Sequence, residues 1–85
     1  MYRKALNSIV EEYLYKFDQL AEISMEQLAD KVALDYLDQL KKTATIPFKM
    51  IETIQEDLKL EALEIVRIRT YGFSSLREFQ KQRGS

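Results

Sequence analysis

The feature that most constrains this chain is the spacing of its apolar residues, which recur every three or four positions. Over residues 2–20 they fall at Tyr2, Ala5, Leu6, Ile9, Val10, Tyr13, Leu14, Phe17 and Leu20. This is the period of an amphipathic helix with a broad apolar face. One proline and two glycines in 85 residues leave few breaks, which long helices tolerate better than many short strands do. The spacing therefore predicts a first helix over residues 2–20.

Capping signals mark the start of the next two helices. Ser24 and Gln27 stand three residues apart in a capping-box pattern, which predicts a second helix from there to about Lys42. A third helix is predicted to follow, with Thr45 as its cap and Pro47 in its first turn, where the missing N–H of proline is no loss. The short connections between these helices predict antiparallel neighbours.

The last third of the chain allows two interpretations. Apolar and polar residues alternate over residues 64–71, which leaves open a single strand there. A strand needs a pairing partner and the chain offers no second strand pattern, so we expect the third helix to continue to about Thr70. Gly72 is then the residue that ends it. Ser75 and Glu78 repeat the capping-box pattern and predict a short fourth helix.

These elements predict an all-α fold, a small helical bundle of three long helices plus a short C-terminal helix. At this length we expect a single domain over residues 1–85. Four aromatic residues lie on the apolar stripes of the predicted helices and are therefore expected in the core: Tyr13, Phe17, Tyr36 and Phe48.

The composition excludes several classes of chemistry. The chain contains no His, which is the commonest general base and metal ligand. It also contains no Cys, so a thiolate can serve neither as nucleophile nor as metal ligand. The carboxylate pairs at helical spacing, such as Glu52 with Glu56, fall on predicted polar faces. We expect no enzyme, no catalytic residue, no metal, no cofactor and no small-molecule substrate. No apolar run reaches the roughly 20 residues of a membrane span, so no membrane partner and a cytoplasmic location are expected.

The function that we expect is that of a small, non-enzymatic regulatory or interaction protein that binds another protein or itself, as a homodimer. Tyr15 lies off the centre of the first apolar stripe, and Tyr71 and Phe73 flank Gly72. Aromatic residues near arginines are typical anchors of protein interfaces. The second helix is acidic, and its charges are expected to influence partner choice. The predicted interface consists of these aromatic residues and two acids: Tyr15, Tyr71, Phe73, Asp35 and Asp38.

A DNA-binding transcriptional regulator is the alternative hypothesis. Residues 61–84 have the order of a helix-turn-helix and resemble the region-4 domains of sigma factors and the LuxR-type regulators at Leu63, Val66, Arg67, Gly72, Ser74, Leu76 and Phe79. The chain ends before a recognition helix, the part of such motifs that contacts bases. Under this hypothesis the basic segment contacts phosphates through Arg67, Arg69, Arg77 and Lys81. Binding to nucleic acid is therefore the less favoured of the two functions.

Overall fold

The computed structural model describes residues 2–83, and this part of the chain forms α-helices joined by short turns. The helices are α1 (Tyr2–Lys16), α2 (Met25–Thr43), α3 (Phe48–Arg69) and α4 (Leu76–Arg83), with a 3₁₀ turn (Leu20–Glu22) between α1 and α2. The described residues contain no strand, so the predicted bundle of three long helices and a short fourth is confirmed. Residues 64–69 form the last turns of α3, because Ile65 and Val66 point into the core at helical spacing.

The first helix is shorter than its apolar pattern predicts. α1 ends at Lys16, and the chain turns at Asp18 and Gln19 before the 3₁₀ turn begins at Leu20. Leu20 is nevertheless fully buried. The pattern correctly predicts burial here but not helix, because Asp is a residue that favours turns over helix interiors.

The caps predicted for the second and third helices have different outcomes. The capping box of α2 is present: the backbone N–H of Gln27 donates to Ser24 Oγ (3.1 Å), and the backbone N–H of Ser24 donates to Gln27 Oε1 (2.8 Å). The prediction that Thr45 caps α3 is wrong. Pro47 has an extended backbone (φ −57°, ψ 133°) and occupies the N-cap position itself, which moves the start of α3 to Phe48, beyond Thr45.

Helices α2 and α3 form an antiparallel hairpin, and α1 packs against both. Ion pairs along the hairpin join Arg67 to Glu26 and Lys59 to Asp30. The core between the helices consists of side chains that are at most 6% exposed: Leu6, Val10, Leu14, Leu20, Leu28, Ala29, Val32, Ala33, Leu37, Leu58, Ala62, Ile65, Val66, Leu76 and Phe79. Each large aliphatic side chain buried there stabilises the fold by about 2 kcal/mol.

The hairpin is longer than the helix that covers it. At 1.5 Å per residue, the 22 residues of α3 extend about 33 Å and the 15 residues of α1 only about 22 Å. Tyr2, where α1 begins, lies beside Ile54 and Leu58 of α3. The last turns of α2, the connection and the first turns of α3 therefore project past α1. We call residues 36–58 the hairpin end.

The opposite end of the bundle is closed by α4. Leu76 and Phe79 are buried there, and the Gln80 amide oxygen accepts a hydrogen bond from the backbone N–H of Ala21 (2.8 Å). The Arg83 guanidinium donates to the carbonyl oxygen of Leu14. Gly72 adopts a positive φ of 94°, a conformation that other residues rarely adopt, and so lets the chain reverse direction before α4. We call the 3₁₀ turn, residues 70–75 and α4 the closed end.

Candidate interaction surfaces

Two of the predicted interface residues contribute to the closed end. The Tyr15 ring packs edge-to-face on Phe79 with 5.7 Å between centroids, and the Phe73 ring does the same at 5.3 Å. Phe73 is half-buried against the core, whereas Tyr15 remains 52% exposed. The structure thus brings Tyr15 and Phe73 together around one ring, in a packing role that stabilises α4.

The other three predicted interface residues lie apart from that cluster. Tyr71 is 89% exposed in the turn after α3. Asp35 accepts a hydrogen bond from the Tyr13 hydroxyl (2.6 Å), so its carboxylate joins α2 to α1. Asp38 is exposed one turn further along α2. The five residues therefore do not form one continuous surface.

The contact between Tyr13 and Asp35 has a clear electrostatic signature. The pKa of Tyr13 is raised to about 12. Burial of the phenol is the largest cause, and its hydrogen bond to the Asp35 carboxylate is the second. The Tyr13 ring also packs edge-to-face on Phe17 (5.3 Å), and the Lys31 ammonium lies 5.7 Å from the centroid of Phe17. Because a phenol held in this way stays neutral and donates to a carboxylate, the contact is a structural link between α1 and α2.

Two of the four cationic residues assigned to phosphate contact under the DNA-binding hypothesis have acidic neighbours within the chain. Arg69 donates to Asn7 Oδ1 (3.1 Å) and to Glu11 Oε2 (3.2 Å), and Arg67 lies 3.9 Å from Glu26. Arg77 and Lys81 lie one turn apart on α4, are exposed, and make no ion pair with the described residues. Any phosphate contact by this segment would therefore depend mainly on Arg77 and Lys81.

An apolar groove lies at the hairpin end. It has a volume of about 350 Å³ and opens between α2 and α3 beside the first residue of α1, with Asp57 at its edge. Its apolar walls are formed by both helices of the hairpin and by the start of α1: Tyr2, Tyr36, Leu40, Ile54 and Leu58. Tyr2 is 45% exposed at this position.

Two side chains of the first turn of α3 are also apolar and exposed. Phe48 is 90% exposed and Met50 is 48% exposed, and Met50 lies one turn from Ile54 on the same face of α3. The prediction that Phe48 packs in the core is wrong, because no other helix of residues 2–83 covers it. We call the groove residues together with Phe48 and Met50 the hairpin-end surface.

Sequence reasoning missed this surface, although one signal could have indicated it. The apolar stripe of the third predicted helix runs from Phe48 to about Thr70, several residues longer than the stripe of the first helix. In a bundle of three helices, the extra length of one apolar stripe has no side chains to pack against. Comparing the lengths of the stripes would have identified one end of the hairpin as uncovered.

Comparison with models of known protein families, with characterised proteins and with solved structures finds no match to this chain. Among residues 2–83, no helix is both long enough and apolar enough to cross a membrane. The same residues contain no group of three or more acidic side chains placed to hold a metal ion.

Proposed function

We propose that this protein is a non-enzymatic interaction module that binds a protein partner through the hairpin-end surface. The observation that carries this proposal is an apolar groove between two helices, with Met50 48% exposed one turn from its Ile54 wall and Phe48 90% exposed at the tip of the same hairpin. Aromatic side chains that enter a pocket on the partner are the usual anchors of protein interfaces. A groove between two helices is the shape that receives an apolar helix face.

The energetics of the surface support the proposal. An aromatic side chain buries roughly 150–250 Å² when it leaves water, at about 25 cal/mol per Å². Covering Phe48 is therefore worth about 4 kcal/mol before the costs of association are subtracted. Tyr2 and Met50 add to that gain, since each exposes nearly half of its surface. Exposed apolar side chains grouped at one end of a small protein are a feature of protein interaction sites.

The chemistry of the groove supports binding and not catalysis. Its ionisable groups are Asp57 and the two phenols of Tyr2 and Tyr36. Nucleophilic or acid–base catalysis requires a reactive group beside a second group that activates it. The remaining wall residues, Leu40, Ile54 and Leu58, supply apolar contact alone.

A site-specific photo-crosslinker tests the proposal. A benzophenone amino acid replaces Phe48 in the full chain, which is expressed in the cells of its source organism. We expect a discrete covalent adduct with a protein. The same crosslinker at Tyr71 is the matched control, because that side chain is equally exposed at the other end of the bundle. Met50→Lys in the Phe48 variant should abolish the adduct. Equal yields from both positions, or no adduct from Phe48, would contradict the proposal.

The DNA-binding alternative depends on Arg77 and Lys81, the exposed cations of α4. If they contact phosphates, binding to random duplex DNA should weaken with salt with a log–log slope of about −2, measured by fluorescence anisotropy. The Arg77→Ala/Lys81→Ala double variant should then lose binding. Lys41→Ala/Lys42→Ala removes the same charge from the hairpin end and serves as the control. Absence of salt-dependent binding would eliminate this alternative.

A further inference from the structure

The charges of the hairpin end are segregated along its length. Three lysines stand at the tip, and four acidic residues stand in the turns directly behind it: Lys41, Lys42 and Lys49 at the tip, and Asp38, Glu52, Glu56 and Asp57 behind. All of them are exposed, and none makes an ion pair with another described residue. The ion pairs of the bundle lie elsewhere, as between Arg3 and Glu64 (3.1 Å). A basic tip beside an acidic band is a surface complementary to itself.

The spacing of these charges defines one antiparallel arrangement. Lys49 and Asp57 are eight residues apart, about 12 Å along α3. A twofold axis that crosses α3 near residue 53 places Lys49 opposite the partner's Asp57, and repeats that pair on the other side of the axis. In the same register Ile54 fits between the partner's Met50 and the partner's Ile54. Met50, Ile54 and Asp57 lie on one face of α3 and Lys49 lies at its edge, so both contacts can form in this register.

We propose that the partner of the hairpin-end surface is a second copy of this chain, packed antiparallel so that the basic tip of each hairpin meets the acidic band of the other. This inference rests on the proposed function and names its partner. The two hairpins then form a four-helix arrangement, in which each apolar groove is covered by the other copy.

The available area indicates a reversible dimer. Phe48 and Tyr2 together offer on the order of 250 Å² of exposed aromatic surface, about a third of the roughly 800 Å² that each partner buries in a standard interface. Tyr36, Leu40 and Ile54 expose less, because all are partly buried in the monomer. The dimer is therefore expected to dissociate on dilution, and to weaken as salt screens its charge pairs.

Charge reversal tests the arrangement. Sedimentation equilibrium of the full chain is measured at low salt from about 5 to about 500 µM, the range in which weak dimers dissociate. Lys49→Glu and Asp57→Lys should each weaken the dimer about tenfold, because each sets like charges against each other twice per dimer. The double variant restores opposite charges and should recover most of the wild-type affinity. Lys81→Glu, which makes the same change in net charge on α4, should leave the affinity unchanged.

The outcomes separate this inference from the proposed function. A strict monomer at every concentration overturns the inference, even where the crosslinker at Phe48 captures a different protein and so supports the proposed function. A dimer that is insensitive to both single reversals, or that the double variant fails to restore, overturns the antiparallel register. Circular dichroism should show unchanged helicity and melting in all variants, since Lys49 and Asp57 are exposed.

Discussion

The two ends of this bundle are built from the same kind of amphipathic helix and are finished in opposite ways. At the closed end, α4 covers the core with Leu76 and Phe79, and Gln80 and Arg83 bond to backbone groups of the 3₁₀ turn and α1. At the hairpin end, no other helix of residues 2–83 packs on the ends of α2 and α3, and Phe48 remains 90% exposed. An aromatic residue on an apolar stripe is thus core or surface depending on whether a third element reaches it.

This difference predicts that stability and association depend on different ends of the molecule. A chain of this size has a free energy of unfolding of only about 5–15 kcal/mol, so each apolar side chain that it buries matters. The closed end buries its apolar residues internally, and the hairpin end leaves Phe48 and Met50 exposed. Substitutions at the closed end should therefore affect folding, and substitutions at the hairpin end should affect association.

The sharpest test of the contrast compares two phenylalanines. Phe79→Ala should reduce the free energy of unfolding by about 3–5 kcal/mol, because it empties a site that is 6% exposed and removes two edge-to-face contacts. Phe48→Ala makes the same chemical change at a 90% exposed site and should cost less than about 0.5 kcal/mol. Urea unfolding of the dilute monomer measures both values. Equal losses of unfolding free energy in the two variants would contradict the difference between the two ends.

A smaller effect is expected from the hydrogen bonds that anchor α4. Gln80→Ala leaves the part-buried N–H of Ala21 without its acceptor and should destabilise the protein by about 1–2 kcal/mol. Lys81→Ala, on the exposed side of the same helix, is the control and should be neutral. Amide hydrogen exchange should also quicken at residues 20–22 in the Gln80 variant alone. Unchanged exchange there would show that α4 is not held by this bond.

The smallest of these effects is the pH-dependent one at Tyr13. Its pKa rises from 10.0 to about 12 in the folded protein, so its contribution to stability is complete below pH 10 and is lost as the pH rises through about 12. Tyr13→Phe keeps the ring and should cost about 1 kcal/mol at pH 8. The difference in the free energy of unfolding between the two proteins should shrink as the pH rises from 10 to about 12. A difference that stays constant up to pH 12 would show that the hydrogen bond to Asp35 is not its source.

Much of the fold could be predicted from the sequence because its determinants are local. The capping box of Ser24 and Gln27, the helix-ending role of Gly72 and the cap by Ser75 all depend on residues within a few positions of each other. Helical spacing also identified most of the core. The end of α1 was not predictable in this way, because Leu20 satisfies the apolar period while the backbone leaves the helix before it.

The candidate site could not be predicted, because it depends on how far one helix reaches along another. The predicted interface combines an off-stripe aromatic residue, Tyr15, with an acid of the second helix, Asp35, and the structure uses both residues in internal contacts. The exposed surface is formed instead by residues that lie on the stripes, such as Phe48 and Ile54. Periodicity reports which residues face inward on a helix. It does not report whether that face is covered.

We propose that this chain self-associates through the hairpin end and not through the closed end. A dilution series of two-dimensional ¹H–¹⁵N NMR spectra, from about 1 mM to about 20 µM, tests this residue by residue. We expect the amide shifts to change with concentration at residues 36–58 and at the start of α1, while those of α4 stay constant. Concentration-dependent shifts confined to residues 70–83, or none anywhere, would contradict it.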